Sequence, residues 1–385
     1  MKSTQAIIFF GIVLTVYGLI NYYIIRRVVS VVPDNYKTLS VIILVFVVVS
    51  YIAGRVLENY WISYLSDFLV WVGSFWIAIM FYTFFCLVII DFFRLINFIV
   101  PFFPSVVTQN PEKTKRIIAL IVSVFVIISV GGGFINSKII NIRYYNLHVN
   151  KKAGNLKSLN IVMASDLHLG TVNGKMFAYK VVDKINKLKP DIILFPGDII
   201  DEDIKPVLRD NVGDALYELK AKYGVYGITG NHEYIGGVKD AVEYLTQHNI
   251  KMLRDDYVEI DNSFYLVGRE DRDSKRFTDY VRKDLKSITE RIDKSLPVVM
   301  MDHQPFHLED AQQNRIDLQL SGHTHNGQLW PLNYLVDKIY ELAWGYKLIG
   351  NTHYYVSCGV GGWGPPVRTG SRPEIIRIRL HFTGD

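Results

Sequence analysis

Leu159-Asn-Ile-Val-Met-Ala-Ser-Asp-Leu-His168 is the stretch on which the reading of this chain turns. Its apolar run is short and bounded by polar residues, which predicts a strand buried on both faces over 160–164. The strand then gives way to a loop that carries a carboxylate and an imidazole. In an extended loop, residues two apart project to the same side, so Asp166 and His168 can bind one cation. Further along, the same design recurs. Strands are predicted at 192–195, 225–229, 265–268, 298–301, 318–320, 354–357 and 374–380, and helices at 175–188, 207–220 and 239–248. This alternation predicts stacked strand-helix units with helices covering the sheet faces.

The polar residues fall at the predicted strand ends. Asp198 follows the second strand, Asn231 and His232 the third, His303 a later one, and His323 and His325 the next. In layered α/β folds ligands gather beyond the strand ends, so these separate loops can converge. His323 and His325 repeat the one-residue gap of Asp166 and His168. Asp198 has two oxygens with which to bridge two metals, and Gly197 lets the backbone turn closely beneath it. Mixed oxygen and nitrogen donors suit Mn, Fe, Zn or Ni better than an all-oxygen Mg or Ca site. Two such ions about 3.5–4 Å apart can clamp the attacking and leaving oxygens of a phosphoryl transfer. Taken singly, an Asp before a helix reads as an N-cap and a His as a satisfied side chain. Five of the ten histidines, however, sit in Asp-, Asn- or Gly-containing clusters at strand ends, which reverses that reading. His148, His248, His307, His353 and His381 lack this context and are read as structural or surface residues.

The N-terminal third has a different texture. Charge-free apolar stretches occupy residues 6–25, 39–53, 68–90 and 117–135. Three are long enough for a hydrocarbon core about 30 Å thick, which takes roughly 20 helical residues. The second spans with help from its flanks or is a re-entrant or buried segment. Runs so apolar leave no polar face for water, which argues against a soluble bundle, and a signal peptide would account for the first stretch alone. Residues 94–111, broken by Pro101, Pro104 and Pro111, read as an interfacial segment or loop. Residues 1–150 carry +6 and the remainder −1, so the whole excess of +5 belongs to the apolar part. A near-neutral C-terminal domain does not suit nucleic acid as a partner. Cys86 and Cys358 suggest neither a disulfide framework nor a thiolate metal site. Arg26, Arg27 and Lys37 in the first loop and Arg94, Lys113, Lys115 and Arg116 in the third face Lys2, Arg55, Lys138 and Arg143 on the other side, with Lys151 and Lys152 further out. By the positive-inside rule the first and third loops are cytoplasmic, which places the C-terminal domain outside, in the plasma (inner) membrane.

The segments Ser165-Asp166-Leu167-His168, Gly197-Asp198-Ile199-Ile200-Asp201, Gly230-Asn231-His232-Glu233, His303-Gln304-Pro305 and Gly322-His323-Thr324-His325 together resemble the calcineurin-like metallophosphoesterase family, all five blocks in order over about 160 residues. The resemblance implies a four-layer αββα sandwich over 151–385, following the transmembrane region of about four helices read from the apolar stretches over 1–150. It implies two divalent ions, manganese expected, one held by Asp166, His168, Asp198 and His325 and the other by Asp198, Asn231, His303 and His323. In that family a metal-bridging hydroxide attacks phosphorus, and the histidine corresponding to His232 protonates the leaving oxygen. Asp201 corresponds to the carboxylate that orients it, with a loop or cap carboxylate as the plainer reading. Glu233 stands where many members have aspartate, and Asn326 where the commonest form has glycine. The continuation to Gln328 and the run Gly359-Val-Gly-Gly-Trp-Gly-Pro-Pro-Val-Arg368 are similar to the membrane-associated or exported bacterial branch and to animal transmembrane proteins with this domain. Arg368 is a candidate for meeting a substrate phosphate together with Asn231, or else a structural arginine.

The expected activity is hydrolysis of a phosphoester or pyrophosphate. The residues 329–350, rich in Trp, Tyr and Leu, either pack on the sheet or form an apolar rim for lipid or an acyl chain. The rim motivates a lipid-linked substrate, comparable to that of the UDP-diacylglucosamine pyrophosphatases, which share the fold. The alternatives are soluble nucleotides, phosphoproteins, or a membrane sensor without turnover, against which every ligand position is filled. Oligomeric state is not legible.

Overall fold

The computed structural model describes residues 3–384; Lys2, counted in the orientation reading, lies outside them. The chain divides into two compact units, the first ending its apolar helices at Ile135 and the second beginning at Asn136.

Four long helices make up the first unit: α1 (Ser3–Val29), α2 (Asp34–Tyr60), α3 (Tyr64–Ile99) and α5 (Pro111–Ser137), with a short α4 (Ser105–Gln109) between the last two. All four long helices have the length and composition to cross a membrane. At 1.5 Å per residue, 27 residues reach about 40 Å, more than the roughly 30 Å of a hydrocarbon core. The short second apolar stretch is therefore the middle of a full-length helix, lengthened by its flanks. Ser63 caps α3 by exchanging side-chain bonds with Ser66, and the chain leaves helix just ahead of Pro101. Without a hydrophobic force between helices in lipid, small residues and polar contacts join them. A Cβ on Gly73 would lie 2.3 Å from the Tyr51 backbone, so α2 and α3 meet there without a side chain between them. Trp76 Nε1 donates to Asn21 Oδ1 at 2.9 Å, tying α3 to α1, and Tyr17 OH donates to the Val48 carbonyl at 2.7 Å, tying α1 to α2.

The second unit holds two six-stranded sheets. One contains β1 (Asn141–Val149), β2 (Ser158–Met163), β3 (Ile192–Pro196), β4 (Val225–Ile228) and β5 (Ile250–Met252); the other contains β6 (Asp256–Ile260), β7 (Phe264–Gly268), β8 (Val298–Met301), β9 (Leu318–Ser321), β10 (Gly345–Ile349) and β11 (Thr352–Val356). Strand β12 (Glu374–Phe382) returns to the first, giving the orders β1-β12-β2-β3-β4-β5 and β10-β11-β9-β8-β7-β6. Strands β2 to β5 run parallel, as do β7, β8, β9 and β11. The period of two explains the layering. Leu159, Ile161 and Met163 of β2 share a core with Ile192 and Leu194 of β3 and with Val299 and Met301 of β8, between the sheets. The alternate residues Val162, Ile193 and Phe195 pack outward against Ala178, Val181, Val182 and Ile185 of α6 (Lys175–Lys187). On the far side, Val298 and Met300 pack against Leu285, Ile288 and Ala311. Both faces of each sheet are thus buried, which yields the four layers αββα and explains the continuous apolar runs. Each fully buried Val, Leu or Ile contributes roughly 1.5–3 kcal/mol.

Two expectations need correction. The sequence reading divides the chain at residue 150, but the second unit begins at Asn136, because residues 141–149 form β1, paired in parallel along β12. The helix expected over 207–220 is a short α-helix, Lys205–Arg209, and a 3-10 helix, Val212–Glu218. Asn211 between them is left-handed (φ 47°), and the Gly213 amide donates to Tyr244 OH at 2.8 Å instead of to a helical carbonyl.

Candidate metal centre

Five loops converge at the carboxyl ends of β2, β3 and β4 of one sheet and β8 and β9 of the other. Asp166, His168, Asp198, His323 and His325 all sit in the left-handed region, with φ between 47° and 74°. Such positions cost non-glycine residues on the order of 1–3 kcal/mol each and persist where the surroundings over-determine them. Here the strand-end loops turn back sharply, and the turn aims each side chain at its neighbours. Gly197 (φ 85°) permits the same at the second loop: a Cβ there would come within 2.5 Å of the His303 ring. At Gly230 an added Cβ would meet Asp198 Oδ1 at 2.1 Å.

The ligand atoms fall into two groups that border on Asp198, and a third, His168, Asp198 and His232, overlaps both. Asp166, His168 and His325 form one, each offering an atom within 4.8 Å of the others. His168 Nε2 and His325 Nε2 approach to 3.1 Å, and His325 Nε2 lies 3.7 Å from Asp166 Oδ1. Asp198, His303 and His323 form the other. Asn231 Oδ1 joins that group, 3.2 Å from His303 Nε2 and 2.9 Å from His323 Nδ1. Asp198 Oδ2 is 3.1 Å from His303 Nε2 and 3.8 Å from His168 Nε2, so one oxygen borders both groups. Buried imidazole nitrogens that converge with carboxylate oxygens in this way fit two borderline cations better than they fit one another. Burial, and after it the positive His303, pushes His323 down to about 3, which leaves its ring neutral and able to ligate. Burial opposes the charge on Asp198, yet the neighbouring His303 and His232 hold it well below the usual carboxylate range.

His232 stands beside these groups at the start of a short helix, Asn231–Gly236. Its amide donates to Asp198 Oδ1 at 2.9 Å, and its Nδ1 lies 3.2 Å from Asp201 Oδ1. Asp201 is also 3.5 Å from His168 Nδ1, so the structure brings it to two imidazoles. Burial alone would lower the pKa of His232, but Asp198 and Asp201 raise it to about 9. The other five histidines do lie elsewhere: His353 Nε2 contacts the His148 carbonyl, His148 stacks on His381, His248 Nδ1 contacts the Tyr244 carbonyl, and His307 is exposed beside Glu309.

Of the two readings of Arg368, a substrate contact or a structural arginine, its contacts favour the second. It is 1% exposed, and its guanidinium donates to the Cys358 carbonyl at 2.9 Å, to the Gly361 carbonyl and to Ser371 Oγ, with Nη2 3.1 Å from His325 Nδ1. Buried arginines settle where carbonyls satisfy their fork, and this one backs His325 and the loop whose Val360 and Gly361 amides donate to the Ser165 and Asp166 carbonyls.

Sequence reasoning passed over Glu233, read only as a stand-in for aspartate. Its carboxylate accepts from the amides of Asp198 (3.1 Å), Ile199 (2.7 Å), Ile200 (2.8 Å) and Gly230 (2.7 Å), joining two of the loops. Burial and then the charge of Asp198 raise it to about 7. A glutamate three residues after the helix-opening Gly230 is a capping-box signal that could have found it. Trp363 enters the sequence reading only within the Gly359–Arg368 run. It is 47% exposed, with its ring 6.0 Å from that of His232, while Tyr340 lies 6.2 Å from His323 on the other side.

Residues 159–327 match the calcineurin-like phosphoesterase family. An uncharacterized metallophosphoesterase of Aquifex aeolicus is 33% identical over 59% of this chain and 87% of its own length. One of Campylobacter jejuni is 28% identical over 97% of this chain and 98% of its own, apolar helices included. A transmembrane protein with metallophosphoesterase domain from Bos taurus is 32% identical over 70% of this chain and 64% of its own. The chain spans 60% of the length of the Helicobacter pylori metallophosphoesterases it matches.

Proposed function

The chain belongs to the calcineurin-like metallophosphoesterase family, and from that premise we propose that it is a membrane-held hydrolase of a lipid-linked phosphoester or pyrophosphate. The observation that carries the hydrolase reading is the shared border of the two ligand groups at Asp198 Oδ2. In this reading Asp166, His168, Asp198 and His325 hold one cation and Asp198, Asn231, His303 and His323 the other, the mixed donors suiting Mn, Fe, Zn or Ni, with Mn expected from the family resemblance. The bound pair would supply Lewis-acid charge to the phosphoryl oxygens.

The chain's own residues do the rest. Asp201 Oδ1 lies 3.2 Å from His232 Nδ1, placed to draw a proton to that nitrogen and leave the transferable one on Nε2, toward the leaving oxygen. With a pKa near 9, His232 is protonated at neutral pH; a cation beside Asp198 offsets part of that carboxylate's pull and brings the value down toward the working range. Glu233 and Arg368 hold the loops that carry the ligands. Trp363 and Tyr340 flank the centre with aromatic surface, which suits an apolar leaving group or acyl chain. The four apolar helices keep the domain at a bilayer, where such a substrate resides, and the loop charges support an extracytoplasmic placement in the plasma membrane.

The test uses the full-length protein in lipid nanodiscs, loaded with Mn, against lipid pyrophosphates, lipid monoesters and diesters, and soluble diesters and nucleotides. Turnover of lipid pyrophosphate or phosphoester is expected, together with two metal equivalents per chain. Turnover of the soluble compounds alone refutes the lipid assignment, and no turnover of any phosphoester by the metal-loaded protein refutes the hydrolase.

A further inference from the structure

The helix Leu332–Ile339 follows directly on the His323 and His325 loop, and none of its residues is buried. At 100° per residue, Tyr334, Lys338, Leu335 and Ile339 fall within one arc of about 140°, while Asn333 and Val336 lie on the opposite side. Their exposure follows that geometry: Tyr334, Leu335 and Ile339 are 61%, 56% and 55% exposed, whereas Leu332, Asn333 and Val336 are partly covered. Trp330, 41% exposed, precedes the helix. Of the two sequence readings of residues 329–350, packing on the sheet holds for β10, which pairs with β11. The helix instead turns three large apolar side chains outward, with a lysine among them and a tryptophan at its entrance.

We infer that this helix is an interfacial membrane-docking element, its arc of Tyr334, Leu335 and Ile339 seated in the headgroup layer of the bilayer that the chain's own helices cross. The composition is that of such elements: aliphatic side chains for the acyl boundary, Tyr and Trp for the interface, and a lysine that reaches anionic headgroups. The bilayer is favoured as occupant by the covalent connection. Only residues 138–140 separate the end of α5, Ser137, from the start of β1, Asn141, a link of roughly 10–14 Å at full extension. The domain therefore cannot leave the membrane surface, and an apolar face on it meets lipid at a concentration no soluble partner matches. Docking here would also hold the loop of His323 and His325 close to lipid headgroups. The inference does not depend on whether the centre is hydrolytic.

The test is spin labelling of the full-length chain in vesicles of phosphatidylethanolamine and phosphatidylglycerol. Cys86→Ala removes the more accessible native thiol, Cys358 being buried, and labels are placed singly by Leu335→Cys, Ile339→Cys and Asp337→Cys. Docking predicts that oxygen collides with the labels at 335 and 339 several-fold more often than a water-soluble nickel chelate, and that the label at 337 shows the reverse. Equal access of the chelate to all three labels overturns the inference in favour of a solvated helix. Exclusion of both reagents at 335 and 339 overturns it in favour of a protein partner or a second copy. Because no outcome reads turnover, failure here leaves the hydrolase reading standing, and failure of that reading leaves this one.

Discussion

The two ligand groups are built from similar residues but braced by opposite charges. Asp166, His168 and His325 are backed by the buried guanidinium of Arg368, which reaches His325 and the carbonyls of Cys358 and Gly361. Asp198, His303 and Asn231 are backed by the buried carboxylate of Glu233, which gathers amides of the second and third loops, while His303 Nδ1 is held 2.8 Å from the Pro196 carbonyl. A metal site depends on the groups that orient its ligands almost as much as on the ligands. The difference teaches that each group has its own support and that the two can be loosened separately, except at Asp198.

Asp198→Asn tests that exception and carries the largest expected effect. Losing the charge that borders both groups removes several kcal/mol of transition-state stabilisation, on the order of a thousandfold or more in kcat. Both metal equivalents should be lost or weakened, as read by metal analysis of the purified protein. Retention of one full-strength metal would show that Asp198 serves a single group. His232→Ala comes next: about 10²–10⁴-fold in kcat, the usual contribution of a positioned proton donor, with metal content unchanged because His232 belongs to neither set of proposed ligands. A loss of metal in this variant would move His232 from proton donor to ligand.

The braces should separate the groups. Arg368→Lys replaces a fork that spans two carbonyls and an imidazole with a single point charge, and Glu233→Gln cannot accept from all four amides as a carboxylate does. Each should cost about 10–100-fold in metal affinity or activity. The Arg368 variant should lose the metal of the His325 group first and the Glu233 variant that of the Asn231 group. Metal titrations in which both variants weaken the same site would break the comparison.

How much of this was legible in the sequence follows from the same contrast. Asp166, His168, Asp198, Asn231, His303, His323 and His325 could be named as candidate ligands because short loops at strand ends keep each of them next to a recognisable apolar run. Their braces were not legible as braces: Arg368 could be named as a substrate contact or a structural arginine, but it reaches His325 from 43 residues away and its polar head points inward to carbonyls, a direction that no periodicity records. Glu233 was visible as a residue but not as a bridge, since the amides of Asp198, Ile199 and Ile200 lie more than 30 residues earlier. The four apolar helices and the layered domain were legible because both faces of the sheets are buried and charge-free spans are unmistakable. Strand β1 was not, because its alternation in Asn141–Val149 is masked by polar residues on the half-exposed edge of the sheet.

The smallest effect concerns Asp201, which touches both His232 and His168 and so stands outside the division between the groups. Asp198 and Asp201 hold the pKa of His232 up at about 9 against burial, which alone would lower it. A step that needs the protonated imidazole therefore proceeds fully at low pH and fades as pH rises through that value, or through a lower one when bound cations offset part of the charge on Asp198. Asp201→Asn keeps the shape and removes the charge, so the pKa of His232 must fall and the alkaline limb of kcat must move to lower pH. At neutral pH the cost is about tenfold or less, since one pKa unit corresponds to 1.36 kcal/mol. If Asp201 merely braces the loop, kcat falls equally at every pH and the limb stays where it was. If it chiefly orients His168, metal affinity falls instead, and the variant behaves like a third brace, on the side of the Asp166 group.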